Sequence, residues 1–521
     1  MGAEVERRRR CAGPVVRRGG GSCTLAAMVW ATRRGLALAL LCAPACARGV
    51  SLEGSGVGET LGTTDMVMTD VAPPTGTPMG TTDPATTLEE ATTTTTTTTT
   101  GDVPTDGTEE SSTGDDPTTT GPELPHPELY PYDRVHSPIT AFVADRLRAI
   151  APVMANVDTT FAKIGGTTTA SANFMKCLAT DTDIIELPPE LVATRDFFNV
   201  ELEMGVTSFT RDSTAALMAV NSTMLKPLVG GEIAMITPRF AHVLVGTHDL
   251  ASNQPVTLYA YADNLLDIVD ELLAGGVVPI LSTLPLRTDM PAKSEFIPSY
   301  NGVIRAAAQG RQIPLVDLEL ALRSVPMSGL GPDGIDLSAF ISAMEDRPCF
   351  FNEAGLTGGY NVRNLESLVA LDRARRTVVL AEPELDAPQA GLRGSGTLDD
   401  PYLITSLPFV DLRSTADSAS DLLDMYGGAC DGTKDESGPE VVYRLEIEAP
   451  VELRMMTFDR GTVDVDPHVL SDADPGTCLK RNDKEITGPL PKGDYTVVVD
   501  SYAGDVPGGA AGEYMLVVLA D

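Results

Sequence analysis

Residues 161–174 read FAKIGGTTTASANF: an apolar strand pattern that runs through a double glycine into the start of a helix. Such a strand-to-helix turn is a common mount for a catalytic hydroxyl. The glycines let the backbone reverse tightly, and the first helical residue points its side chain outward. Here the tip is Gly165, Gly166 and Thr167, so the hydroxyl is secondary, with a methyl group that stiffens the side chain and crowds an attack trajectory.

Outward from this turn, residues 136–382 alternate apolar strands with amphipathic helices. ITAFVADRLRAIAPVM (139–154) has helical spacing. RFAHVLVGTHDL is a buried strand ending in a turn, and LYAYADNLLDIVDELLAGG is a helix stopped at Gly275-Gly276. VVPILSTLP and IPLVDL are further strands, SEFIPSYNGVIRAAAQGR and GYNVRNLESLVALDRARRTVV further helices. The alternation predicts a three-layer α/β domain with a parallel sheet, and a site outside the C-terminal ends of its strands. The loops after FAKIG, HVLVG and IPLVDL are therefore expected to converge. Asp317 reads as a helix cap and His242, inside a strand, as a core residue.

In this order, KIGGTTTASANF, VLVGTHDL, LLAGGVVPILSTLP, YNGVIRAAA, IPLVDLELAL, GLGPDGIDLS and GYNVRNLESLVALD resemble the SGNH (GDSL-type) hydrolases. The resemblance implies a nucleophile at Thr167, where the family has Ser, after Gly166. It implies an oxyanion-binding block at Gly246, Thr247 and His248, with His in place of Asn. It also implies a base block at Asp333 and Asp336, with Asp336 standing where the family has its catalytic His. The family's second oxyanion glycine falls near LMAVNSTML, where Asn221 stands and no glycine does. An ordinary carboxylate is a weak base at neutral pH, and loss of one oxyanion donor costs roughly 10²–10³ in rate. The leading expectation is thus a degenerate hydrolase that binds without turnover. The enzymatic alternative is an esterase or deacetylase on acylated carbohydrate, with His248 as a relocated base toward Thr167. A purely structural surface protein is the third reading.

After about residue 391 the pattern becomes short strands with Gly, Pro and Asp turns, among them VVYRLEIEA, VELRMMTF, DYTVVVDSYAG and GEYMLVVLA. This predicts an antiparallel β-sandwich over 394–521. The segment resembles the bacterial pre-peptidase C-terminal domain, which implies an extracellular accessory module. Asp464, Asp466, Asp472 and Asp474 contain the ligand type for calcium, but in so acidic a chain they read as solvated loop carboxylates. No cofactor is implied, and no Cys or His spacing predicts a metal site.

Residues 1–50 carry a basic stretch, a short apolar run and a small-residue zone, the pattern of an export signal, with Met28 as a plausible start. APAC ending at Cys46 resembles a lipoprotein box, with Ala43 where Leu is usual. The expectation is a lipid anchor at Cys46, on the bacterial outer membrane or cell surface, with periplasmic or secreted export as the alternative. Residues 51–122, rich in Thr, Gly, Asp, Glu and Pro, read as a disordered stalk with an end-to-end distance of roughly 45–50 Å. The net charge of −35 argues against nucleic acid. Four of the 8 cysteines lie in the leader, and the other four are expected to pair within domains as Cys177–Cys349 and Cys430–Cys478. Expected partners are a glycan or acylated carbohydrate, and a membrane through the anchor.

Overall fold

The computed structural model describes residues 127–520 except 154, 252–254, 431, 433 and 504–509. The expected export signal, lipidation at Cys46 and Thr-rich stalk lie outside the described residues.

Four strands, β1 (Val157–Gly165), β2 (Pro238–Leu244), β3 (Val278–Ser282) and β4 (Leu315–Val316), pair in that order, all parallel. Every residue of β2 and β3 is buried, as the continuous apolar runs require of a sheet covered on both faces. On the free side of β1, Gly165 N–H donates to Ala215 O (2.9 Å) and Leu217 N–H to Gly165 O (3.1 Å), with Ala216 in a parallel bridge. This segment is a rudimentary edge strand. The chain therefore leaves β1 toward one side and later returns to its other side, which makes the C-terminal end of β1 a topological switch point.

The covering helices are α1 (Ala141–Ala149), α2 (Val192–Phe198), α3 (Val229–Ile236), α4 (Pro255–Ala274), α5 (Ile297–Arg311) and α6 (Gly359–Val378). Helix α1 is shorter than its periodicity suggested. Thr140 caps its start by accepting from Val143 N–H, and an extended Ile150 ends it ahead of Pro152. Helix α4 stops at the double glycine: Gly276 is left-handed (φ 72°), and Val277 and Gly276 N–H donate to Leu272 and Leu273.

Beyond residue 391 two sheets stack. One contains β5 (Tyr402–Ile404), β7 (Val441–Ile447), β9 (Val465–Leu470), β10 (Cys478–Arg481) and β12 (Gly493–Ser501). The other contains β6 (Phe409–Ser414), β8 (Val451–Asp459), β11 (Glu485–Leu490) and β13 (Glu513–Ala520). All neighbours are antiparallel except β5, which lies parallel to β7, so the expected purely antiparallel sandwich has one parallel edge. Cys177 is bonded to Cys349 and Cys430 to Cys478.

The sandwich is not a detached module. Helix α5 is covered by the parallel sheet on one side and by β6 and β13 on the other. A Cβ on Gly302 would meet Val517 at 2.5 Å, and one on Gly310 would meet Leu412 at 2.3 Å. Val410, Leu412, Val517 and Leu519 join the α/β core directly. Arg311 and Arg460 clasp Asp270 and Glu513 across the junction. The Gly and Ala face of α5 reads as neutral in the sequence because its purpose is close approach.

Asp466 is buried against Arg481 rather than solvated, while Asp472 and Asp474 cap turns through Ala473 and Gly476 N–H. Opposite Asp466, buried Asp500 accepts from Tyr426 Oη at 2.6 Å, and burial pushes its carboxyl up to about 9. Between pH 4 and 9 the folded chain thus holds a proton that the unfolded chain has released. Stability is expected to fall across this window, by about 1 kcal/mol per pH unit from this group. Thermal denaturation from pH 5 to 8.5 checks it: Asp500→Asn should flatten the slope, and an unchanged slope would contradict the assignment.

Candidate functional site

Strand β1 ends against the backbone of β2. A Cβ on Gly165 would lie 2.1 Å from Leu244 O and 2.6 Å from Thr169 Oγ1, so only glycine fits. Gly166 N–H donates to Leu244 O at 3.1 Å, and the chain turns into the single-turn helix Thr167–Ala170. Thr167 is its first residue.

The Thr167 hydroxyl has two partners. Its Oγ1 lies 2.8 Å from His248 Nε2 and accepts from Ala219 N–H at 2.9 Å. With Ala219 on the oxygen, the hydroxyl hydrogen can point at Nε2 when His248 carries its proton on Nδ1. His248 is held from both sides. Before it, Gly246 (φ 130°) has no room for a Cβ, which would meet Leu284 at 2.9 Å, and Thr247 O accepts from Arg287 Nη1 at 2.6 Å. After it, buried Asp249 accepts from Ser222 N–H and Oγ, the latter at 2.6 Å, tying the Ala219 loop to the exit of β2.

The electrostatics favour a neutral imidazole. Partial burial, then the Arg287 and Lys293 charges, hold His248 below its ordinary value, against the opposing pull of Asp336 and Asp249. Asp336 is itself raised, by burial first and then by Asp333, and its Oδ1 is buried without a hydrogen-bond partner among the described residues.

The structure brings Thr167, His248 and Gly166 together, with Asp336 near enough for its charge to act on His248. It does not bring in Asp333, an exposed residue whose Oδ1 accepts from Ile335 and Asp336 N–H within its own turn. The position taken for a triad carboxylate is therefore a loop cap. Gly246 and Thr247 serve through backbone, facing Leu284 and Arg287 respectively. Thr168 and Thr169 are buried and offer nothing to a ligand. Asn221 caps a short helix through Met224 N–H (3.0 Å). Asp317 caps Leu320 as read and also pairs with Arg305. His242 is a core residue, edge-on to Phe161 and Phe174. Among the described residues, no group of three or more His, Cys, Asp or Glu is arranged to hold a metal ion.

Two site residues escaped the sequence reading. Ala219 adopts φ 55°, a glycine-like conformation, and its amide donates to the Thr167 hydroxyl oxygen. Arg287, in LPLRTDMP, follows the strand VVPILSTLP and was not singled out; the Asp two residues on, which pairs with it at 2.6 Å, was the available signal.

No protein-family model matches this sequence, and no curated protein matches it. Among solved structures it is similar to a lipase/acylhydrolase from Enterococcus faecalis (16% identity, 42% of this chain and 96% of that one, TM-score 0.27). It is also similar to a GDSL-like lipase from Bacteroides thetaiotaomicron (14%, 46% and 99%, 0.27) and to Axe2, an acetylxylan esterase from Geobacillus stearothermophilus (13%, 42% and 96%, 0.28). What the site can do is read from its own geometry.

Because the Asp336 charge favours the imidazolium, Asp336→Asn should lower the His248 pKa further. Titration of the imidazole signals by NMR checks this. An unchanged or raised value would show that Asp336 does not face His248.

Proposed function

We propose that residues 136–382 form an SGNH-type acyl-ester hydrolase domain in which Thr167 is the nucleophile and His248 the general base. The observation that carries this reading is the shared contact on one oxygen: Thr167 Oγ1 sits 2.8 Å from a neutral imidazole and 2.9 Å from the Ala219 amide. In the reaction, the Thr167 proton passes to His248 Nε2 as Oγ1 attacks the ester carbonyl. The proton then goes to the departing alkoxide, leaving acyl-Thr167 and a free alcohol. Water, deprotonated by the same nitrogen, attacks the acyl carbon, and Thr167 regains its proton as the acid departs. On attack the Ala219 amide passes from Oγ1 to the new oxyanion, where the Thr167 amide is the second donor. The proposed leaving group is hydroxyl-bearing, as in an acylated carbohydrate. Exposed Leu217 and Met218, beside Ala219, supply apolar contact for the acyl part.

This reading departs from the leading expectation of binding without turnover. The base lost at Asp336 has a counterpart at His248, and the lost glycine donor has one at Ala219. Binding alone remains the second reading, favoured by the missing Asn donor, whose loss typically costs about 10²–10³ in rate. The biological setting proposed is an exported protein, lipid-anchored at Cys46 and held off the membrane by its Thr-rich stalk, with the sandwich as an accessory module resembling the pre-peptidase C-terminal domain.

The full chain should hydrolyse short acyl esters and acetylated xylo-oligosaccharides slowly. Thr167→Ala and His248→Ala should each abolish the activity, and Thr167→Ser should raise it by removing the methyl. The acidic limb of the pH profile should lie below pH 6.5, the ordinary His value. Wild type indistinguishable from Thr167→Ala would sink the enzymatic reading, and calorimetric binding of the same oligosaccharides would then support binding alone.

A further inference from the structure

Helix α6 places a guanidinium beneath the Thr167 turn. Arg363 is 3% exposed; its Nη1 donates to Thr168 O at 2.6 Å and its Nη2 to Thr169 Oγ1 at 2.8 Å. Its Cζ lies 3.8 Å from the centre of the Phe174 ring. Among the described residues no carboxylate is paired with it, and Nε is buried without a partner. Its other basic neighbours are buried too: Lys163, which donates to Phe209 O at 3.0 Å, and His242. Burial brings Arg363 down only to about 10, so it is charged at neutral pH. A buried cation without a counter-ion is costly, and an apolar side chain would fill the same volume without that cost.

The next residue continues the grip. Asn364 Oδ1 accepts from Met175 N–H at 2.9 Å, and its Nδ2 donates to Asn173 O (2.8 Å) and Pro348 O (3.0 Å). Two consecutive side chains of α6 thus hold the segment from Thr168 to Met175 at both ends. Thr168 and Thr169 directly follow Thr167 in a helix of one turn. Fixing the carbonyl of the first and the hydroxyl of the second fixes the rotation of that turn, and so the direction of the Thr167 side chain. A planar guanidinium does this with two parallel donors, which an ammonium cannot reproduce.

We infer that Arg363 is a positioning residue, whose two-pronged hold on Thr168 and Thr169 sets the Thr167 turn so that its hydroxyl meets His248. The kinetic consequence rests on the proposed hydrolase reading; the geometric one does not.

The test uses the full chain, with Arg363→Met, Arg363→Lys and Thr169→Val beside wild type and Thr167→Ala. The first readout is the ¹⁵N signal of His248 Nε2, assigned by its loss in His248→Gln. The second is kcat and KM on p-nitrophenyl acetate. In Arg363→Met, the Nε2 signal should move to its Thr167→Ala position. There kcat should fall by about 10–100-fold while KM changes less than about threefold, the split expected of misplaced reacting groups. Arg363→Lys and Thr169→Val should move both readouts part of the way. A folded Arg363→Met with the wild-type Nε2 signal would overturn the inference. Should Arg363→Met fail to fold, a wild-type signal in both milder variants would overturn it equally. A wild type without turnover removes the hydrolase reading, and the Nε2 signal alone then decides the role of Arg363.

Discussion

The approach of Gly165 to the Leu244 carbonyl is the contact on which the site depends. It brings the ends of β1 and β2 closer than any side chain would allow, since a Cβ would lie 2.1 Å from that oxygen. Gly166 N–H then bonds the same carbonyl, and the chain turns with Thr167 at its tip. Because β2 continues only a few residues before its own turn, His248 emerges at the same mouth. The 2.8 Å contact between Thr167 and His248 follows from two adjacent strands ending together at a point where the strand order reverses.

In this arrangement an imidazole stands within hydrogen-bond reach of the Thr167 hydroxyl. An imidazole serves wherever it reaches the nucleophile in the neutral form, and the exit of β2 offers such a place. Burial, and then the Arg287 charge, hold His248 below its ordinary value, and Arg287 fixes the preceding carbonyl by its hydrogen bond. Asp249 anchors the loop that supplies the Ala219 amide. Ala219 presents that amide to the Thr167 oxygen from a left-handed conformation, which alanine adopts at modest cost.

Much of the framework was legible in the sequence. The runs FAKIG, RFAHVLVG, VVPILS and IPLVD are apolar over a full strand length, and the double glycine after IVDELLA marks a stop that the backbone obeys. The Thr167–His248 pair was also within reach, because both follow strands expected to be neighbours. What escaped was written in backbone or in partnership. Ala219 acts through an amide, which any residue possesses. Asp333 looked catalytic by the family resemblance but is consumed by its own turn. Arg363 reads as one basic residue in a helix, and only the fold shows the carbonyl it holds. The docking of the sandwich on α5 was hidden because Gly302 and Gly310 matter for what they lack.

The central claim is that the Thr167 hydroxyl is a working nucleophile, and an acyl-enzyme is its direct signature. Wild-type chain mixed with p-nitrophenyl acetate and quenched at successive times should show, by intact mass, a transient adduct of one acetyl group. Fragmentation should place it on Thr167, and the adduct should be absent in His248→Ala. An adduct that never forms, or one that appears equally in Thr167→Ala, would contradict the account.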